Sequence, residues 1–161
     1  GVGFSAFRHG TLTIGVQRHQ LKDVAWRILK PQEHADHIIA IIQTARKLNP
    51  SLPILLSVSP IPISGSFTHE SVMVTDCLSK SSLRIAAEIV LESGLENVGY
   101  WPAFEAIRWL SAHCGPVFGV EDAYDHRHLA TRFAQAITDS FVEFNYVREE
   151  NDGCVGVIGK S

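Results

Sequence analysis

The chain has 161 residues, a length that suits one domain with a buried core. Its formal net charge is -3 and it has no long basic run, which argues against nucleic acid or an anionic membrane as a partner. No apolar stretch is long enough to span a bilayer, and the first residues lack the order of a signal peptide.

The cysteines indicate the compartment. Cys77, Cys114 and Cys154 are far apart, and at least one of them must stay unpaired. This pattern favours buried thiols in a reducing environment, so we expect a cytoplasmic protein.

The first thirty residues give only weak signals. Residues 1–10 contain three glycines and no periodicity, which predicts a loop. Residues 11–16 (TLTIGV) form a short β-branched run, which predicts a strand. Residues 17–30 are mixed and favour a loop or an irregular helix.

A helix and a buried strand follow. Pro31 suits the first turn of a helix, and the apolar residues after it recur at helical spacing until Asn49-Pro50 ends the element. Residues 52–58 (LPILLSV) are continuously apolar, which predicts a parallel strand buried on both faces.

The remaining elements continue the alternation. A second helix is predicted from Ser71 or Ser79 to Ser93, with Gly94 as its C-cap. A strand over 98–101 and a helix over 103–112 follow. The last helix has the clearest apolar face: Leu129, Phe133, Ala136, Ile137, Phe141 and Phe144. Residues 151–161 are either an edge strand or irregular.

This alternation predicts an α/β domain with a parallel sheet covered on both faces. Ligands bind such sheets beyond the carboxyl ends of the strands. The loops that follow the predicted strands, and the segment before the last helix, are therefore the candidate site.

Asp125 and His128 lie in that last segment. A histidine there could act as the general base for a serine, with the aspartate holding the other ring nitrogen. Alternatively, Asp125 is only the N-cap of the helix and the histidines are surface residues. The spacing alone does not decide between them.

Four ordered segments carry more information than this pair. They read SVSPIP from Ser57, SKSSLR from Ser79, VGYWPAFE from Val98, and Asp125-x-Arg127-His128. They resemble the loop, helix-start, strand-end and turn motifs of the GSCFA family, in the SGNH hydrolase-like superfamily. The resemblance runs from about Pro31 to Phe144. We expect the family-like region to cover about residues 11–146, with 147–161 as a tail.

The resemblance implies a three-layer αβα sandwich with a parallel sheet, similar to SGNH and flavodoxin-like folds. It also implies a Ser-His-Asp site that hydrolyses or transfers an O-acyl group. In that interpretation His128 is the general base and Asp125 orients it. Ser59 and Glu105 line the site.

The chain departs from the family at its start. The Gly-Ser-Cys-Phe-Ala stretch expected to hold the nucleophile is missing, so the nucleophile is unknown. Ser5 lies in a stretch of similar composition, but no predicted strand precedes it. Gly15 and Gln17 could line the oxyanion site, with the Gln17 amide as a donor. We expect the chain to be a partial copy of the domain, incomplete at its N-terminus.

Two functions therefore remain open. One is an esterase or acyltransferase for a small-molecule or carbohydrate acyl ester, with the carbohydrate taken from family analogy. The other is a non-catalytic SGNH-like binding or assembly module without a nucleophile. Neither needs a cofactor or a metal, and the sequence leaves the oligomeric state open.

Overall fold

The computed structural model describes residues 5–8, 11–13, 24–66, 71–120, 126–148 and 155–157. Within them the molecule is a mixed α/β structure, which confirms the predicted class.

The first helix, α1, covers Pro31–Arg46. Pro31 needs no hydrogen bond for its nitrogen at the first turn, and the Lys30 amide donates to the Glu33 carboxylate at 2.9 Å. Glu33 also accepts both ends of the Arg27 guanidinium, at 2.6 and 2.7 Å. This ion pair anchors the preceding segment to the helix, which ends shortly before Asn49-Pro50 as predicted.

The second helix, α2, covers Val72–Leu91. Of the two predicted starts the first is right, because the Ser71 side chain accepts from the Val74 amide at 3.3 Å. Ser79 is a buried residue inside the helix, so the alternative start at Ser79 is wrong. Gly94 follows the helix with φ of 78°, a conformation that favours glycine.

Two strands form a parallel pair: β4 is Ile54–Leu56 and β5 is Val98–Tyr100. Ile54 pairs with Val98 and Leu56 with Tyr100, which confirms the predicted parallel arrangement of these two segments. One further bond, from the Trp101 amide to the Leu56 carbonyl at 2.7 Å, extends the pair toward its carboxyl end.

The main core lies on one face of this pair, where α1 and α2 pack together. Its buried members are Ala35, Ile42, Ala86 and Val90, with Ile54, Leu56 and Val98 of the strands against them. Leu55 points the other way and is 40% exposed. The prediction that residues 52–58 are buried on both faces is therefore wrong at Leu55, and the third layer of a sandwich is not found over this residue.

The N-terminal strands form a separate sheet. The strand β1 (Ser5–Arg8) pairs antiparallel with β2 (Thr11–Thr13) and with β3 (Ala25–Arg27), in the order β2-β1-β3. The predicted loop over residues 1–10 is thus wrong for Ser5–Arg8. The expectation that residues 11–16 join the parallel sheet is also wrong for Thr11–Thr13, which pair antiparallel with β1; the two residues between β1 and β2 are too few for a parallel crossover. Residues 14–16 lie outside the described residues.

The C-terminal part contains α3 (Ala103–Leu110), a short 3-10 helix (Ser111–His113) and α4 (Thr131–Asn145). Trp101 packs edge-on against Phe141 of α4, with ring centroids 5.7 Å apart. Beyond α4, β6 (Tyr146–Arg148) and β7 (Val155–Val157) pair antiparallel, so part of the predicted tail is a strand.

Two expectations from composition can be compared with the described residues. Cys77 and Cys114 are free but exposed, so the prediction of buried thiols is wrong for both, and Cys154 lies outside the described residues. None of the helices that the structure describes has the length and apolar character to cross a membrane.

Two neighbouring isoleucines of α1 test the position of the core. Ile42 is 2% exposed and Ile41 is 68% exposed. We expect Ile42→Ala to lower the free energy of unfolding by about 2–5 kcal/mol, because it leaves a cavity between α1 and α2. Ile41→Ala, the matched control, should change it by less than about 0.5 kcal/mol. Urea denaturation measures both, and equal losses would contradict this core.

Candidate functional site

The carboxyl end of the parallel pair carries the loop that contains Ser59. The Ser57 hydroxyl donates to the Trp101 carbonyl at 2.9 Å, which joins the two strand ends. The Ser59 hydroxyl accepts from the Ile61 amide at 3.3 Å, so it stabilises its own loop. Ser59 thus lies in the loop beyond the carboxyl end of β4, and its place in a site stays a prediction.

As far as Ser82, α2 is buried through polar side chains. These are Thr75, Asp76, Ser79, Lys80 and Ser82, whereas the remainder of the helix buries Ala86, Ala87 and Val90. Buried polar groups destabilise a fold unless they find partners, and several here are hydrogen-bonded. The Ser82 hydroxyl, for example, donates to the Leu29 carbonyl at 2.8 Å.

Asp76 and Arg108 hold the loop after Ser59 in place. One oxygen of Asp76 accepts from the Ile63 amide at 3.0 Å, and the other accepts from Arg108 Nη2 at 2.5 Å. Arg108 Nε also donates to the Pro60 carbonyl at 3.0 Å. The ion pair therefore binds both ends of the segment from Pro60 to Ile63 and fixes the path of the chain behind Ser59.

Lys80 lies one helical turn from Asp76 and is only 2% exposed. Burial lowers the pKa of its ammonium, the negative charge of Asp76 opposes that change, and the positive charge of Arg108 adds to it. Lys80 is thus a buried cation whose nearest charges are a carboxylate and a second cation.

Glu105 is the centre of a second network. It accepts from the Tyr100 hydroxyl at 2.9 and 3.0 Å and from Arg84 Nε at 2.8 Å. Arg84 also lies 4.4 Å from the centre of the Tyr100 ring and binds Glu88 at 2.8 Å. Burial, followed by the hydrogen bond and the charge of Glu105, raises the pKa of Tyr100 to about 12. These bonds tie Glu105 to β5 and α2.

His128 lies in a turn just before α4, where it is partly buried. Its carbonyl accepts from the Gly119 amide at 3.2 Å, and the Ala130 amide donates to the Val117 carbonyl at 2.9 Å. Gly119 has φ of 66°, and a Cβ there would lie 3.0 Å from the His126 carbonyl oxygen. A glycine is therefore needed for these two segments to approach so closely.

An apolar pocket of about 270 Å³ lies between α3 and α4. Its walls include Trp101, Ile107, Leu110, Phe133 and Ile137. Val117 also lines the pocket, and its carbonyl accepts from the amide of Ala130, two residues after His128. The volume is near the lower end of small-molecule sites.

The structure describes the side chains of three predicted site residues: Ser59 in the loop after β4, Glu105 in α3 and His128 before α4. Asp125, Gly15 and Gln17 lie outside the described residues, so the proximity of Asp125 to His128 stays a prediction. Ser5 begins β1 and pairs with Arg27 in the antiparallel sheet.

Sequence reasoning assigned no role to Asp76, Lys80, Arg108 or Gly119. One signal was available, because Asp76, Lys80 and Arg84 recur every four residues on a helix that must bury one side. No sequence pattern could have paired Asp76 with Arg108, which belongs to another helix.

Comparison with known families gives one result: the GSCFA family pattern matches residues 6–141. The match covers the four motif segments, including the one that contains His128. Neither the curated proteins nor the solved structures contain a match to this chain.

Replacing Gly119 tests the turn that carries His128. Gly119→Ala should lower the free energy of unfolding by about 1–3 kcal/mol, because alanine resists the positive φ and its methyl group would crowd His126. Gly115→Ala is the matched control: its methyl group would meet only Arg132, at 3.8 Å, so we expect no loss. Chemical denaturation compares them, and an equal response would exclude a special role for Gly119.

Titration tests the network of Glu105. One of the three tyrosines should ionise near pH 12, and Tyr100→Phe should remove that transition. Because the folded-state pKa of Tyr100 exceeds its unfolded value of about 10, its contribution to stability is complete below pH 10 and is lost as the pH rises toward 12.

Glu105→Gln should move the transition only part of the way down, since burial remains the largest cause of the raised pKa. Phenolate absorbance follows the titration. An unchanged transition in Glu105→Gln would contradict the assigned bond.

Proposed function

Because the chain belongs to the GSCFA family, we propose that it is a serine esterase or acyltransferase of the SGNH type that acts on an O-acyl group. In this proposal His128 is the general base and Asp125 holds its ring in the productive tautomer. The αβα arrangement of that superfamily is part of the proposal. The parallel strands β4 and β5, with α1 and α2 on one face, support it.

The observation that carries the proposal is the position of His128 within the family match. Main-chain bonds around Gly119 and Val117 fix the turn just before α4. A general base must be held rigidly near the group from which it removes a proton, and such a turn provides that support.

The pocket between α3 and α4 supports an ester with an apolar part. Val117 lines this pocket, and its carbonyl accepts from the Ala130 amide just after the His128 turn. The walls of the pocket are mostly hydrocarbon and aromatic rings. We propose a small-molecule or carbohydrate-linked acyl ester as the substrate, with the carbohydrate resting on family analogy alone. The chemistry needs no cofactor.

A second candidate is a binding or assembly module that retains the pocket without a nucleophile. Two observations favour it. The Ser59 hydroxyl accepts a hydrogen bond from the Ile61 amide within its own loop, and Ser5 belongs to an antiparallel sheet instead of following a parallel strand. The two candidates differ in whether any serine reacts.

Hydrolysis of nitrophenyl acetate by the full-length gene product tests the enzyme. We expect His128→Ala to reduce kcat/KM by on the order of 10²–10⁴, the usual contribution of a general base. Asp125→Asn should reduce it strongly as well, because it favours the wrong imidazole tautomer. His126→Ala, a control at an exposed neighbour, should leave the rate unchanged.

The 161 residues alone should hydrolyse this ester hardly faster than buffer, because the members of a triad act as a unit and this sequence lacks the family's serine stretch. A serine-reactive fluorophosphonate separates the candidates. If the folded full-length protein neither reacts with it nor hydrolyses esters, the enzyme proposal fails and the binding module is favoured. Brisk hydrolysis by the 161 residues that Ser5→Ala abolishes would instead make Ser5 the nucleophile.

A further inference from the structure

The indole of Trp101 contains a buried donor without an acceptor. In the part of the chain that the structure describes, its Nε1 atom is the one buried side-chain nitrogen or oxygen that has no hydrogen-bond partner. A tryptophan N–H can only donate, and a buried indole usually finds an acceptor, because an unpaired donor away from water is unfavourable. A ligand that brings an acceptor to this N–H would therefore gain a hydrogen bond.

The position of Trp101 is fixed by its main chain and by its ring. Directly after β5, its amide donates to the Leu56 carbonyl at 2.7 Å and its carbonyl accepts from the Ser57 hydroxyl at 2.9 Å. The indole packs against Phe141 and Phe144 of α4, with ring centroids 5.7 and 6.4 Å away. The side chain therefore lies at the carboxyl end of the parallel pair, where such sheets bind ligands.

Trp101 also forms part of the wall of the pocket between α3 and α4. None of the described residues that line this pocket has a charged side chain, which favours a hydrocarbon over an ionic group as its occupant. The volume is about 270 Å³, whereas a cavity of about 150 Å³ holds benzene, so the pocket accommodates a chain of about eight to ten carbon atoms.

The apolar wall and the unpaired donor together define the ligand. A hydrocarbon alone would fill the pocket but leave the N–H of Trp101 unpaired, whereas a chain that ends in a carbonyl group satisfies both. We propose that this pocket binds a medium-chain acyl group of about eight to ten carbons, whose carbonyl oxygen accepts from Trp101 Nε1. The binding site stands on these observations, and the identity of this acyl group as the one that is cleaved rests on the proposed function.

Methyl ketones test the site in the full-length protein, because they carry a chain and a carbonyl but no bond that an esterase breaks. Calorimetry compares acetone, methyl propyl ketone, methyl hexyl ketone and methyl octyl ketone. We expect the affinity to rise about fourfold for each added methylene, the scale of burying one such group. The rise should level off where the chain fills the pocket.

The N–H signal of Trp101 reports the hydrogen bond directly by NMR. It is identified by its absence from Trp101→Phe, and it should move to higher frequency when methyl hexyl ketone binds. Trp26 and Trp109 do not line the pocket, so their signals are the internal controls and should move much less. Trp101→Phe should lower the affinity for the ketone about three- to tenfold, the scale of one hydrogen bond.

Two alanines of α4 provide matched variants. Ala136 lines the pocket and Ala134 does not, and both are exposed. Ala136→Phe should lower ketone affinity at least about tenfold, because the ring occupies the space that the chain needs. Ala134→Phe should leave the affinity unchanged.

Two free cysteines provide a second readout of occupancy. Cys114 lines the pocket and is exposed, whereas Cys77 is exposed on α2 away from it. Bound ketone should slow the alkylation of Cys114 by iodoacetamide and leave that of Cys77 unchanged, as measured by mass spectrometry of the two peptides.

The proposal is overturned if no ketone binds, if affinity does not rise with chain length, or if the Trp101 N–H signal stays in place in saturated protein. Equal loss in Ala136→Phe and Ala134→Phe overturns it as well. Should Trp101→Phe fail to fold, the comparison of the two alanine variants and the protection of Cys114 decide the question.

The ketone titration on His128→Ala keeps the two proposals separate. This variant should bind methyl hexyl ketone like the unaltered protein, because binding requires no general base. Ketone binding in a protein that hydrolyses no ester would contradict the esterase alone. Hydrolysis of nitrophenyl acetate without ketone binding would contradict the acyl site alone.

Discussion

The loop at the carboxyl end of the parallel strands β4 and β5 depends on the ion pair between Asp76 and Arg108. Asp76 fixes the Ile63 amide and Arg108 fixes the Pro60 carbonyl, so the pair determines the path of the loop that begins at Ser59. Removing one member of such a pair costs more than the pair itself contributes, because the other charge is left without a partner. The geometry of this edge therefore depends on two helices, α2 and α3.

The helix α2 combines two different kinds of burial. Its second half supplies Ala86 and Val90 to the core against α1, and its first half supplies Asp76 and Lys80 to the polar region behind the loop. Burial of the apolar half offsets the unfavourable free energy of burying the charged side chains, since hydrophobic burial is the main favourable term in folding. One rigid element thus connects the core to the site.

Periodicity and turn residues predicted most of the elements. Pro31 and Asn49-Pro50 gave the limits of α1 closely, and the apolar run of residues 52–58 gave β4 and its parallel pairing. The prediction failed where tertiary pairing decides. The local sequence of β2 is compatible with either a parallel or an antiparallel sheet. Only its two-residue connection to β1 indicates antiparallel pairing. That connection was missed because residues 1–10 were predicted to be a loop.

The candidate site was predictable only in part, again because some of its contacts depend on tertiary packing. Ser59, Glu105 and His128 lie in motifs that can be read from the chain, whereas Arg108 meets Asp76 only after α2 and α3 have packed. The need for glycine at position 119 arises from its positive φ and from the closeness of His126, and neither is visible in a sequence.

The two kinds of strand pairing also have a consequence for the order of folding. The strands β1 and β2 are separated by two residues, and hairpins of this kind form in about 1–10 μs. The strands β4 and β5 are separated in sequence by α2, so their pairing closes a much longer loop and is slower. The edge of β4 and β5, with Trp101 against Phe141, is therefore the part of the molecule that we expect to assemble last on refolding.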